Sequence, residues 1–163
     1  MIEPHWQVVY VRPRCEKKMA AYCVAQSIDY YLPLRNEIKI YQRRKVHVEK
    51  PVFPGYVFVG HREEQRVIML KSNLIVRLLE VDAQKVFLHE LEQIRRALQV
   101  DPTLGACAAF TEGVAVRIID GAFRGIEGVV HAVRGETKVV LNVEMIGQAV
   151  AVEVETDYLE PMD

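Results

Sequence analysis

The chain has 163 residues, 50% of them hydrophobic and 26% charged, with a net charge of -1. That composition fits an ordinary globular protein of one domain or two small ones, and no apolar run approaches the roughly 20 residues that span a bilayer. Cys15, Cys23 and Cys107 are odd in number and form no C-x-x-C, so they read as reduced thiols, small apolar filler in a cytoplasmic protein.

The start, MIEPHWQVVYVRPR, lacks a basic segment followed by an apolar core and a small-residue cleavage site, so no secretory leader is expected. Charge is split along the chain. Up to Gly60 the cations Arg12, Arg14, Lys17, Lys18, Arg35, Lys39, Arg43, Arg44, Lys45 and Lys50 face only Glu3, Glu16, Asp29, Glu37 and Glu49. From Gly105 onward Arg117, Arg124, Arg134 and Lys138 face ten carboxylates. The first part suits a phosphate backbone and the last part does not, which suggests two domains with different partners.

WQVVYV is β-branched and aromatic and reads as a strand ending at Arg12-Pro13. Cys15, Met19, Tyr22 and Cys23 then recur at helical spacing, predicting a helix over Cys15 to Gln26. IDYYLPL is a short extended piece. EIKIYQRRKVHVEK alternates and predicts a hairpin with a basic tip at Gln42-Arg43-Arg44. In KPVFPGYVFVG, Pro54-Gly55 predicts a turn or bend, and Tyr56 to Val59 a strand. A short helix over EEQRVIML, a strand over LIVRLLEV and a longer helix from Asp82 to Gln99, with the stripe Phe87, Leu91, Ile94 and Leu98, complete this half. The order predicts an α+β sandwich with a mainly antiparallel sheet.

VDPTLGACAAFTEG has Pro102 and Gly105 and no strong period, so it is the linker candidate. Beyond Gly113 the runs VAVRII, EGVVHAV, KVVLNV and AVAVEV, with a last piece at DYLEPM, are separated by turn signals and predict a small barrel. The β-branched character argues against a helical form of this region. Val114, Val116 and Ile118 are expected to point inward, and Gly128 marks a sharp bend or a close backbone approach.

Two stretches together resemble one family. WQVVYVRPRCEKKMAAYC, followed by PVFPGYVFV, and EGVAVRIIDGAFRGIEGVV, which looks like a KOW motif, are similar in order and spacing to the NusG family of transcription elongation factors. The likeness runs from Trp6 to about Leu159. YVRPRCEKK, YYLPL and VEKPVFPGYVFV are closer to specialised antiterminator paralogues of the UpxY kind. The resemblance implies an NGN domain over 1-101, a linker over 102-110 and an SH3-like KOW barrel over 111-163. It implies a bacterial elongation or antitermination factor, monomeric, cytoplasmic, and without cofactor or metal.

Strand alternation puts Tyr56 and Phe58 on one face and Val57 and Val59 on the other. The valines suit the face under the two longer helices. The aromatics, joined by Tyr10, suit a face covered partly by the short helix near Val67 to Leu70; read from the residues alone they are first plain core, and second a dock for a partner helix. The resemblance implies that Tyr10, Phe53, Tyr56 and Phe58 hold the clamp coiled coil of RNA polymerase, with the opposite lobe of the cleft as a second contact. Arg12, Arg14, Lys17 and Lys18 gather at one strand-to-helix junction, and Arg43 and Arg44 at the hairpin tip. Both groups are candidates for non-template or upstream DNA. In the second domain, Phe123 lies in a turn and either folds back to cap the barrel or marks a contact tip. Ile146, in MIGQAVAVE, stands where the family meets a ribosomal protein or Rho. The aromatic expected there is replaced by Ile146 and the arginine by Gln148.

An enzyme is not expected. His5, His47, His61, His89 and His131 lack metal-ligand spacing, and no phosphate loop or nucleophile motif is present. The alternative is a ribosome-associated or general RNA-binding KOW protein. The acid-rich second half disfavours it.

Overall fold

The structure is a computed structural model and describes residues 3–162. The first part of the chain forms β1 (His5–Val11), α1 (Glu16–Ala25), β2 (Asp29–Tyr31), β3 (Leu34–Tyr41), β4 (Arg44–Pro51), β5 (Tyr56–His61), α2 (Glu63–Leu70), β6 (Ile75–Leu79) and α3 (Gln84–Val100). The rest forms β7 (Ala106–Ala108), β8 (Ala115–Ile118), β9 (Glu127–Val133), β10 (Glu136–Val143), β11 (Gln148–Glu153) and β12 (Leu159–Pro161). The α+β class expected from the sequence is what forms. The backbone falls into two compact units. One runs to Leu32 and resumes over Phe53–Lys85, and the other holds Pro33–Val52 and everything from Val86.

The first unit is built on an antiparallel sheet in the order β2-β5-β1-β6. β1 is an inner strand, so its β-branched run is buried on both faces, with Val8 and Val9 fully enclosed. One face carries Val9, Val11, Val57 and Val59, which cluster with Met19 and Cys23 of α1 and Met69 of α2. Burial pushes the Cys23 thiol up to about 11, which keeps it protonated and inert. The N-terminus of α2 is closed by Gln65, whose side-chain oxygen accepts the Arg62 N–H at 2.9 Å, and Glu63 and Glu64 suit the helix dipole there.

In the second unit, β3 and β4 form a separate two-stranded ribbon in register from Leu34↔Pro51 to Tyr41↔Arg44. Its tip is the expected one. Gln42 and Arg43 both have positive φ, 48° and 66°, as a two-residue type I′ turn requires. The β-rich remainder is a six-stranded antiparallel sheet in the order β12-β8-β9-β10-β11-β7. Val139, Leu141, Val150 and Val152 line up across β10 and β11 and are buried. Gly128 is a close approach: a Cβ there would lie 2.6 Å from the Val140 carbonyl oxygen. Val116 and Ile118 point inward as expected, but Val114 is 57% exposed. It precedes β8, and its backbone carbonyl accepts the Val130 N–H instead.

The stretch expected to be a linker contains β7, which pairs with β11. Asn142 fastens the residues after it: the Phe110 N–H donates to Asn142 Oδ1, and Asn142 Nδ2 donates to the Phe110 carbonyl, both at 2.8 Å. The Phe110 ring stacks on His131 with centroids 3.8 Å apart.

Candidate docking surface

The face of the first unit opposite the valine cluster carries the aromatics. β1 and β5 pair Val8 with Phe58 and Tyr10 with Tyr56. Alternation therefore puts Tyr10, Tyr56 and Phe58 on one side, as expected. Their burial differs sharply. Phe53 is 1% and Phe58 0% exposed, whereas Tyr10 is 40% exposed and Tyr56 half-buried. Phe58 meets Phe53 edge-on at 6.3 Å and Tyr31 in a stacked arrangement at 6.4 Å. Phe53 and Phe58 are therefore core side chains, not surface contacts. The expected cover is corrected as well. α2 lies on the valine face through Met69, because its apolar stripe faces α1 and the inner valines.

What remains open is a shallow depression of about 310 Å³ lined by Tyr10, Tyr56, Val76 and Arg77. The two tyrosine rings stand 5.3 Å apart at 49°. The Pro54-Gly55 turn fixes one edge of the patch. Gly55 has φ +92°, and a Cβ on it would lie 2.9 Å from Tyr10 Cε1. The Gly55 carbonyl accepts the Val11 N–H at 2.9 Å, and the Gly55 N–H donates to Glu16 Oε2 at 2.8 Å. Glu16 is a buried carboxylate at the start of α1 whose acceptor role closes that turn. Sequence patterning did not single out Glu16, Val76 or Arg77. Each acts through a contact distant in the chain and leaves no local signal.

Arg12, Arg14, Lys17 and Lys18 are all exposed around the β1–α1 junction, where Arg14 adopts φ 62°. The Arg12 carbonyl accepts the Cys15 N–H, and the Arg12 N–H donates to the Leu74 carbonyl, so this corner is tightly tied. Arg43 and Arg44 are exposed on the ribbon, in the other unit. Phe123 is half-buried in a cleft of about 520 Å³ that includes Asp120, Glu136, Glu153, Glu155 and Tyr158. Ile146 is half-buried in a 3-10 turn after β10, while Phe123 lies beside the start of that strand. The structure thus places these two at opposite ends of β10 and does not bring them together.

α3 meets the β-rich sheet within the second unit. Buried Gln93 accepts the Glu127 N–H at 2.9 Å, and His89 Nε2 lies 3.2 Å from Glu127 Oε1. Glu90 Oε2 accepts the Glu144 N–H at 3.3 Å. Desolvation pushes the Glu90 carboxyl up to about 7, with the Glu144 charge adding to the rise and the Glu144 N–H opposing it. No group of His, Cys, Asp and Glu among the described residues is arranged to hold a metal. Among those residues no helix is long and apolar enough to cross a membrane.

Residues 4–97 match the family model described as transcription termination factor nusG. The chain belongs to the NusG family. This is a family of transcription factors that are not enzymes, and the matched segment holds the tyrosine patch, the β1–α1 junction and the ribbon. Among solved structures, NusG of Thermotoga maritima, from work on its domain interaction, is 22% identical. The match covers 98% of this chain and 97% of that one, with a TM-score of 0.51, and supports the fold. The MjSpt4:Spt5 complex in its conformation B is 16% identical over 97% of each chain, with a TM-score of 0.30. The chain matches no curated protein.

Proposed function

We propose that the protein is a bacterial transcription elongation or antitermination factor that docks on the clamp coiled coil of RNA polymerase through Tyr10 and Tyr56. The observation that carries this reading is the tyrosine pair, exposed Tyr10 beside half-buried Tyr56, held over a turn fixed by Gly55 and Glu16, within the segment that matches the family. Two amphipathic rings on a stiff sheet offer apolar area with polar tips, which suits the flank of a partner helix. Phe58 is buried on the same face of the sheet and packs against Phe53. Binding across the polymerase cleft, with the opposite lobe as second contact, stabilises the closed, moving complex and suppresses pausing or termination by differential affinity alone.

In this reading the function divides as 1-101 for polymerase, 102-110 as the connection and 111-163 as a KOW domain. Arg12, Arg14, Lys17 and Lys18, with Arg43 and Arg44, contact non-template or upstream DNA. Phe123 and Ile146 meet a further factor, a ribosomal protein or Rho. The YVRPRCEKK and VEKPVFPGYVFV stretches support a specialised UpxY-like role. The protein acts as a cytoplasmic monomer. Retention of bacterial RNA polymerase core by the immobilised full chain tests the proposal. Retention that a free clamp coiled-coil fragment competes away supports it, and no retention of core or of an assembled elongation complex contradicts it.

A further inference from the structure

A row of polar side chains crosses one corner of the first unit, from the interior to the surface. His61, the last residue of β5, and Gln7 of β1 are buried. Glu80, just after β6, and His5 of β1 are exposed. His61 Nδ1 lies 3.0 Å from the Arg62 carbonyl oxygen, and His61 Nε2 lies 2.6 Å from Gln7 Oε1. Gln7 Nε2 donates to Glu80 Oε2 at 2.7 Å, and the other Glu80 oxygen, Oε1, meets His5 Nε2.

These contacts dictate where the hydrogens sit. A backbone carbonyl only accepts, so His61 Nδ1 must carry a hydrogen. The Glu80 carboxyl is held below the usual carboxylate range, first by its hydrogen bond from His5, so it is ionised and also only accepts. Gln7 therefore turns its NH2 group to Glu80 and its carbonyl oxygen to His61. His61 Nε2 must then carry a hydrogen as well, and a ring with both is an imidazolium. Turning the Gln7 amide over does not remove the need. Its oxygen would face the Glu80 carboxylate, and the same proton would be required there. With that proton gone, one contact sets two acceptors against each other whichever way Gln7 points. The charged and titratable groups on the elements around His61 are His5 on β1, Asp29 and Tyr30 on β2, Glu80 after β6, and Arg62, Glu63 and Glu64 at the start of α2. Arg62 pairs with Glu64 at 2.9 Å, and the His5 ring stands edge-on to His61 with centroids 6.3 Å apart. The hydrogen bonds of the His61 ring lead to Glu80 through Gln7.

We propose that His61, Gln7 and Glu80 form a proton-held latch: a proton on the buried His61 ring, balanced through the Gln7 amide by the Glu80 carboxylate, fastens the corner where β5 runs into α2. The Arg62 carbonyl that accepts from the ring belongs to the residue whose N–H donates to Gln65 Oε1 at 2.9 Å, and Gln65 Nε2 donates to the Ser27 carbonyl at 3.2 Å. Loss of the proton to water frees one side of the ring and loosens the first turn of α2, the helix that closes the valine cluster through Met69. The latch is independent of the polymerase and DNA readings.

The test is nitrogen NMR of the histidine rings in the isotope-labelled full chain at about pH 7.5, where a histidine free in water is mostly neutral. The same chain unfolded in urea supplies that reference, and the His61 signals are assigned through the labelled backbone. The expected result is a His61 ring protonated on both nitrogens in the folded chain and neutral in urea. Glu80→Gln keeps the size of an exposed side chain and lets the new amide donate to a turned-over Gln7. It should leave His61 neutral in a chain that circular dichroism shows to be folded. Glu64→Gln, the same charge change on another exposed carboxylate near the corner, should leave the ring doubly protonated. When the pH of the wild type is raised until His61 loses its second proton, the Arg62 amide and the Gln65 side-chain amide should shift with the same midpoint. A neutral His61 ring in the folded wild type at about pH 7.5 would overturn the proposal. So would a folded Glu80→Gln chain whose ring stays doubly protonated, or Arg62 and Gln65 signals that do not follow the ring.

Discussion

Tyr10 and Tyr56 are direct partners across the β1–β5 ladder, their rings 5.3 Å apart and tilted by 49°, with the Tyr10 ring lying over Gly55. The shape of the patch thus depends on a side chain that is absent. Space that a Cβ would take at Gly55 is filled by the edge of Tyr10.

Gly55→Ala tests that dependence. The substitution meets both a φ of +92° and a 2.9 Å overlap with Tyr10. It is expected to cost about 1–3 kcal/mol of stability and to push Tyr10 out of line. Thermal unfolding and polymerase affinity should both fall. An unchanged midpoint with unchanged affinity would show that the turn does not position the patch.

The ribbon tip holds two consecutive non-glycine residues in the left-handed region, Gln42 and Arg43. Gln42→Asn/Arg43→Gly supplies the residues that a type I′ turn favours and should relieve about 1 kcal/mol of backbone strain. Hydrogen exchange of the amides from Lys39 to Val46 is expected to slow. Faster exchange would mean that the ribbon does not turn in this way.

Glu90 makes the second unit sensitive to pH. Its carboxyl titrates near 7 in the fold against 4.5 in the open chain, so the folded state holds the proton more tightly between those values. The associated stability is complete below about pH 4.5 and is lost as pH rises through 7. The shift sets an upper limit of roughly 3 kcal/mol, and solvent screening of this part-buried group reduces it. Glu90→Gln should therefore flatten the fall in unfolding midpoint from pH 5 to pH 8. A variant as pH-dependent as wild type in that window would refute the assignment. Glu92 acts in the opposite sense. Arg95, then Arg96, hold it down at about 2, so its contribution is present above 4.5 and lost only as pH falls toward 2.

Much of the fold was legible because it is written in local periods. Alternation in VVYV and YVFV sorted Tyr10, Tyr56 and Phe58 from the valines, and the helical stripe of α3 was visible from Phe87 to Leu98. Alternation gives the side of a sheet but not what covers it, which is why α2 was expected on the aromatic face; the family resemblance, not the alternation, put Phe53 and Phe58 in the dock, and the core reading of the residues alone is the one that their burial supports. β7 was hidden for a related reason. Ala106–Ala108 is a run of small residues with no pattern of its own, and its strand state is set by β11. Glu16 was equally silent, since a carboxylate on a basic helix has no local mark of the turn it closes 39 residues later.

The central claim is that the tyrosine pair is the polymerase dock, and the most direct measurement is the affinity of RNA polymerase core for wild type against Tyr10→Ala/Tyr56→Ala. The wild type should bind. The double variant, with its fold verified by an intact circular dichroism spectrum, should bind at least tenfold more weakly, as expected when two aromatic contact residues are truncated. A folded double variant that binds as well as wild type would contradict the account.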